Sequence, residues 1–191
     1  MTEADEMALI LAARKGDAQA YGMLVELHQD RVFAVIVNHV RDEHKARDIA
    51  QDVFIQAYRA IHTYEDRAKF STWLYRIALN LVTSQHRHDF ALKRGGASAK
   101  ASLDVEGMPE PNADVRGPDD QVAAGEIGVI VRGAIDELDE EYKTVIVLRD
   151  LQGLSYEEIA ELLNIAPGTV RSRLHRGREK LKEKLQHLED R

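Results

Sequence analysis

Cysteine is absent from the 191 residues. That excludes disulfides, thiolate nucleophiles and cysteine zinc sites, and it fits a reducing compartment. Proline occurs four times, and apolar–polar alternation of period two never runs for any length, so strand-based architectures are excluded and the chain reads as all-α. No apolar run is long enough to span a bilayer, and the opening MTEADEMALI is acidic where a secretory signal needs bases. The expectation is a cytoplasmic chain without membrane insertion. Neither a phosphate-cradling glycine loop nor a convincing His and carboxylate spacing for a metal is present, so no catalysis, cofactor or metal is expected. His86 and His88, two apart on a helix, point in different directions and read as surface residues. A surplus of positive charge is also lacking: the net charge is -7, with a pI near 5.6. Indiscriminate coating of nucleic acid rests on many phosphate neutralisations, so any DNA contact has to be local or assisted by a partner.

Positive charge is concentrated in one place. From Arg171 to Lys184 there are seven Lys or Arg against two Glu. Just upstream, Ser155 with Glu158 three residues on forms a capping box that starts a helix. Ile159, Leu162 and Leu163 lie on one face of it, and Glu157, Glu158 and Glu161 on the other. Asn164 ends that helix and Pro167 suits the first position of the next. Val170, Leu174, Leu181 and Leu185 supply the second helix's packing stripe, leaving Arg171, Ser172, His175 and Arg176 facing outward. In a helix-turn-helix these positions meet base edges. Arginine's planar fork suits guanine O6 and N7, while Thr169, Arg173 and Arg178 are placed to hold phosphates.

A chain of this length is long enough for two small domains. Helical periodicity fades between about residues 91 and 121, where Gly95, Gly96, Pro109, Pro111 and Pro118 fall among excess acids. The expected organisation is therefore a helical unit over residues 1–92, an acidic linker over 93–121, and the helix-turn-helix unit over 122–191. An acidic linker is able to occupy a partner's basic channel by imitating nucleic-acid charge.

In the first unit, Asp17 is an N-cap, and Tyr21, Leu24, Val25, Leu27, Val32, Val35 and Ile36 form an apolar stripe. After a break at residues 41–43, the next helix buries Ala46, Ile49, Ala50, Val53, Phe54, Ala57 and Ile61, and shows Asp48, Gln51, Asp52, Gln56 and Arg59 outward. Acidic and amide groups on neighbouring turns suit a partner docked through charged hydrogen bonds. A third helix, about residues 70–88, buries Phe70, Trp73, Leu74, Ile77, Ala78 and Leu81. Its other face, Thr72, Arg76, Asn80, Thr83, Ser84 and Arg87, carries no acid. The loop before it sets Tyr64 and Phe70 beside Arg67 and Lys69, and aromatics interleaved with bases suit unstacked, single-stranded nucleic acid.

Four stretches in order, GDAQAYGMLVELHQDRVF, RDIAQDVFIQAYRAI, FSTWLYRIALNL and LSYEEIAELLNIAPGTVRSRLHRGREKL, resemble the motifs of bacterial extracytoplasmic-function sigma factors, of the sigma-70 family. The resemblance implies a region-2 domain and a region-4 domain with nothing folded between them. It implies that Asp48, Gln51, Asp52, Phe54 and Gln56 meet the clamp helices of the largest subunit of core RNA polymerase, and that region 4 meets the polymerase flap. Tyr64, Arg67, Lys69, Phe70, Thr72, Arg76, Asn80, Ser84 and Arg87 fall where the family captures and melts the -10 element, and flipping a base there costs a few kcal/mol. The helix bearing Thr169, Arg171, Ser172, Arg173, His175, Arg176 and Arg178 falls on the -35 reader. An anti-sigma factor is a further implied partner, and a stress or envelope response the implied setting. The competing readings are an ordinary helix-turn-helix regulator, which has no need of the acid-free Arg76/Asn80 face, and a sigma mimic that sequesters an anti-sigma factor, which should have lost its DNA readers.

Overall fold

The computed structural model describes residues 2–40, 42–93 and 121–189, and these are helical with short connections. The first helix, α1 (Glu3–Arg14), begins at a capping box: the Thr2 hydroxyl accepts from Asp5 N, and the Asp5 carboxylate accepts from Thr2 N at 2.8 Å. The expected helices begin only at Asp17, although a Thr followed three residues on by an acid is the signal of one. Ile10 and Ala13 of α1 are buried against the helices that follow, and Arg14 Nε donates to the Ile61 carbonyl at 3.2 Å.

Asp17 caps α2 (Ala18–Val37) as expected, its Oδ1 accepting from Gln19 N and Ala20 N. The apolar stripe along α2 differs in one turn from the expectation. Leu27 is exposed, and the core position is taken by His28. The reason is α1, which covers that side of α2 and brings Glu6 Oε1 to 2.8 Å from His28 Nε2. A polar side chain enters the core there because a partner for it enters too.

Asp42 caps α3 (Glu43–Ala60), which buries Ala46, Ile49, Val53, Phe54 and Ala57. A single 3-10 turn (Ile61–Thr63) and a loop lead to α4 (Phe70–Lys93), five residues longer than its periodicity suggests. Helices α1 to α4 form the first unit. Apart from its ends, the proposed linker lies outside the described residues.

The second unit opens with α5 (Gln121–Asp136) and α6 (Glu140–Ile146), which runs on as a π-helical turn (Val147–Leu151). Then come α7 (Tyr156–Leu163) and α8 (Pro167–Glu189). Ile146, Leu148, Ile159, Val170 and Leu174 are almost wholly buried between them. Gly177 lets α8 lie close on α6: a Cβ there would stand 2.8 Å from Ile146 Cδ1. The two units are packed together, and the buried Tyr75 of α4 donates its hydroxyl to Gln152 Oε1 at 3.0 Å.

Candidate nucleic-acid interface

The helix-turn-helix forms from the local signals that the sequence carries. Ser155 N reaches Glu158 Oε2 at 2.7 Å and Glu158 N reaches Ser155 Oγ at 3.1 Å, closing the capping box. Asn164 takes the left-handed conformation, φ 53°, and ends α7; asparagine tolerates that region better than most residues. Pro167 then opens α8. The Val170 and Leu174 side chains are buried, which turns Arg171, Ser172, His175 and Arg176 outward, all exposed.

The basic residues of α8 divide into two sets. Arg178 grips Asp150 with both Nε and Nη2, Arg173 Nη2 lies 2.9 Å from Glu141, Lys180 2.6 Å from Asp139, and Lys184 2.6 Å from Glu137. The hydrogen bond from Lys180 holds the Asp139 carboxyl below its ordinary range. These pairs run back to the connection between α5 and α6, to α6 and to the π-helical turn, and hold α8 in its orientation. Arg171 and Arg176 have no ion pair among the described residues, and they stand at the N-terminal half of the helix. Arg173 and Arg178, read from sequence as phosphate contacts, are engaged within the domain here, and Thr169 is half-buried. The acids that hold them lie outside the motif, so no pattern within the motif announced them.

In the first unit the loop aromatics pack together. Tyr64, Phe70 and Trp73 have ring centroids 5.2–5.5 Å apart, Arg14 lies over the Tyr64 ring at 5.7 Å, and the Tyr64 hydroxyl donates to the Ala68 carbonyl. Tyr64, Phe70 and Thr72 are buried in this arrangement, whereas Arg67, Lys69, Arg76, Asn80, Ser84 and Arg87 are exposed. Thr72 Oγ1 is buried without a hydrogen-bond partner. It borders a recess of about 300 Å³ that Arg67, Lys69 and Tyr64 also line.

On α3, Asp48, Gln51, Asp52 and Gln56 form one exposed face, with Phe54 beneath it in the core. Partial burial, then repulsion from Asp48 one turn away, pushes the Asp52 carboxyl above its ordinary range. Two carboxylates kept together at a cost are relieved when a cation approaches. Among the described residues, no group of three or more His, Asp or Glu is placed to hold a metal ion, and no helix is long and apolar enough to cross a membrane.

Comparison with known proteins shows the family. Residues 24–89 match the Sigma-70 region 2 family and residues 129–181 the Sigma-70 region 4 family. The chain is 37% identical over 182 residues to the ECF RNA polymerase sigma factor SigW of Bacillus subtilis, covering 94% of this chain and 96% of the relative. The chain belongs to the extracytoplasmic-function sigma factors. To the RNA polymerase sigma-H factor of Pseudomonas aeruginosa this sigma factor is 35% identical over 190 residues, covering 98% and 97% of the two chains. Among solved structures it resembles CnrH in complex with the cytosolic domain of CnrY, with a TM-score of 0.68, 25% identity and coverage of 97% and 99%. The fold is also that of the sigma factor RpoE in complex with the anti-sigma factor NepR from Bartonella quintana, with a TM-score of 0.67, 22% identity and coverage of 88% and 98%. The α3 face and the loop into α4 thus fall in region 2, and most of α8 in region 4.

Proposed function

We propose that this sigma factor binds core RNA polymerase, delivers it to promoters, and selects them by a -10 element read with region 2 and a -35 element read with region 4. Residues 1–92 act as the region-2 unit and 122–191 as the region-4 unit, with 93–121 as the acidic tether between them. The observation that carries the reading is the division of charge on α8: four basic residues are tied to acids of their own domain, while Arg171 and Arg176 make no ion pair among the described residues and stand beside Ser172 and His175 on the exposed N-terminal half. A recognition helix needs both a rigid seat and open donors.

Polymerase docks on the carboxylates and amides of α3, through Asp48, Gln51, Asp52 and Gln56, with Phe54 anchoring that surface from below. Arg67, Lys69, Arg76, Asn80, Ser84 and Arg87 contact the -10 strand, while Tyr64 and Thr72 line the recess beside it and Phe70 packs against Tyr64. At -35, Arg171, Ser172, His175 and Arg176 meet base edges with Thr169 toward the phosphates, while Arg173 and Arg178 seat the helix through Glu141 and Asp150. The chain works in the cytoplasm and is itself not an enzyme, since nucleotidyl transfer belongs to the polymerase. An anti-sigma factor is a further partner, in line with the solved complex of RpoE with the anti-sigma factor NepR, and a stress or envelope response is the setting. The test is run-off transcription with purified core polymerase on a promoter library. A promoter-dependent transcript is expected, and its absence removes the assignment.

A further inference from the structure

Helix α1 lies outside the residues matched to region 2, which begin at 24, yet it backs the loop assigned to the -10 element. Glu6, Ile10 and Arg14 fall at i, i+4 and i+8, so they share one face of α1 over about 12 Å. Ile10, 1% exposed, seals the middle of that face. At one end Arg14 Nε donates to the Ile61 carbonyl at 3.2 Å, and the guanidinium lies 5.7 Å from the centre of the Tyr64 ring. At the other end Glu6 Oε1 lies 2.8 Å from His28 Nε2. A carboxylate accepts, so His28 Nε2 carries a proton and donates, which fixes how the imidazole is turned. That ring meets Phe70, with centroids 5.4 Å apart and planes at 60°. Tyr64 and Phe70 thus both have α1 behind them, one directly and the other through His28.

The same helix walls the recess. Glu3, Glu6, Met7 and Ile10 line it together with Tyr64 and Thr72, so its inner wall belongs to the first unit alone. Thr72, 4% exposed, keeps its Oγ1 there without a hydrogen-bond partner. Buried hydroxyls are nearly always paired, so this one is left for a polar group that enters from outside. Whether a single hydroxyl discriminates one base from another depends on where the base comes to rest, and rigid walls decide that.

We propose that Glu6 and Arg14 of α1 are positioning residues for -10 recognition: Arg14 seats Tyr64, and Glu6 seats Phe70 through His28, so that the recess between α1 and Thr72 holds an entering base in one place. This rests on the sigma-factor reading of region 2. What the two residues supply is their hold on the aromatics, not a contact with DNA. Loss of either loosens one ring of a packed set, Tyr64, Phe70 and Trp73, and the base then stops in more than one position.

The full-length chain with core polymerase tests this on a promoter found by run-off transcription, with single-base variants of its -10 and -35 elements in competition. Glu6→Ala and Arg14→Ala are each expected to weaken base preference within the -10 element by about three- to tenfold and to leave preference within the -35 element as it was. Trp73, the chain's only tryptophan, lies 5.4 Å from Phe70 and 5.5 Å from Tyr64 between ring centroids, so its emission reports how those rings are seated before DNA is added. That emission should shift in both variants. Glu6→Gln keeps an acceptor for the His28 N–H and should restore emission and preference together. Unchanged -10 preference overturns the proposal whatever the total transcript, because a merely structural role lowers every promoter alike, and so does an equal loss of preference at -35. Lost -10 preference with unchanged Trp73 emission overturns the route through the aromatics in favour of direct contact, as does a Glu6→Gln chain that loses as much as Glu6→Ala. Failure of the sigma reading appears separately, as the absence of any promoter-dependent transcript from the unaltered chain.

Discussion

Replacing Gly177 by alanine probes how the recognition helix is seated. The new Cβ would lie 2.8 Å from Ile146 Cδ1, 3.2 Å from Tyr142 Cβ and 3.4 Å from Ile146 Cγ1. In the middle of α8 alanine gains about 0.5–1 kcal/mol over glycine from helix propensity. Against this stands overpacking, which costs about 1–3 kcal/mol in a filled core. Ile146 is 1% exposed and enclosed by its neighbours, and Tyr142 Cβ cannot yield unless the α6 backbone moves. The balance is a net loss of about 1 kcal/mol. Ile146→Val removes Cδ1, the nearest atom, and alone costs about 0.5–1.5 kcal/mol. In the alanine background the same truncation also relieves the clash, so the double variant should be no less stable than Ile146→Val, a coupling of about 1 kcal/mol. Urea denaturation followed by circular dichroism gives the four stabilities, provided the slopes agree. Costs that add within about 0.3 kcal/mol, or a Gly177→Ala chain more stable than its parent, would refute the close-approach argument.

Arg176→Ala is expected to relax preference at one -35 position at a cost of about 1–3 kcal/mol if the side chain grips a base, measured by competition among promoter variants; an equal loss on every sequence marks a phosphate contact. Ser155→Ala removes one half of the capping box and should lower stability by about 0.5–2 kcal/mol in urea, and an unchanged midpoint would show that α7 is held by packing alone. Stability should fall as pH drops from about 7 to 5. Burial lowers the folded pKa of His39, with Glu140 opposing, and burial likewise lowers His28, with Glu6 opposing. Each imidazole therefore takes its proton more readily when unfolded, so stability present above the ordinary value of 6.5 is lost below it. Urea midpoints across that range measure the slope, and a flat profile contradicts the buried-neutral assignment. Asp48→Asn is expected to return Asp52 toward the ordinary carboxylate range while weakening polymerase binding, the loss shrinking at higher salt; affinity that ignores both substitution and salt places the polymerase contact elsewhere.

Most local structure is legible in the sequence. The Ser155–Glu158 box, Asn164 and Pro167 locate both helices of the helix-turn-helix, because capping is an interaction over three or four residues and depends on little else. The α3 stripe also reads directly, since its period places Ala46, Ile49, Val53 and Ala57 on one side whatever they meet. By the same logic Thr2 and Asp5 announce α1. His28 in place of Leu27 was not legible, because which turn of α2 faces inward depends on where α1 lies and on its Glu6.

The candidate sites divide along the same line. Residue types and spacing were enough to name the exposed set Arg171, Ser172, His175 and Arg176, since helical period alone opposes them to Val170 and Leu174. Nothing in the motif said that Arg173 and Arg178 are held by Glu141 and Asp150, whose partners come from other helices. Nor did it say that Lys69 and Arg76 face Glu158 and Glu161 from the other unit, roughly ninety residues along the chain.

By itself, then, the sequence determined which helices form, which of their faces are apolar, and to which family the ordered motifs point, because each of these follows from neighbours a few residues apart. Only the tertiary structure decided which charges stand open and which are already spent on one another. An ion pair needs two side chains within about 4 Å, and that distance is set by how whole helices pack, not by the order in which they are strung.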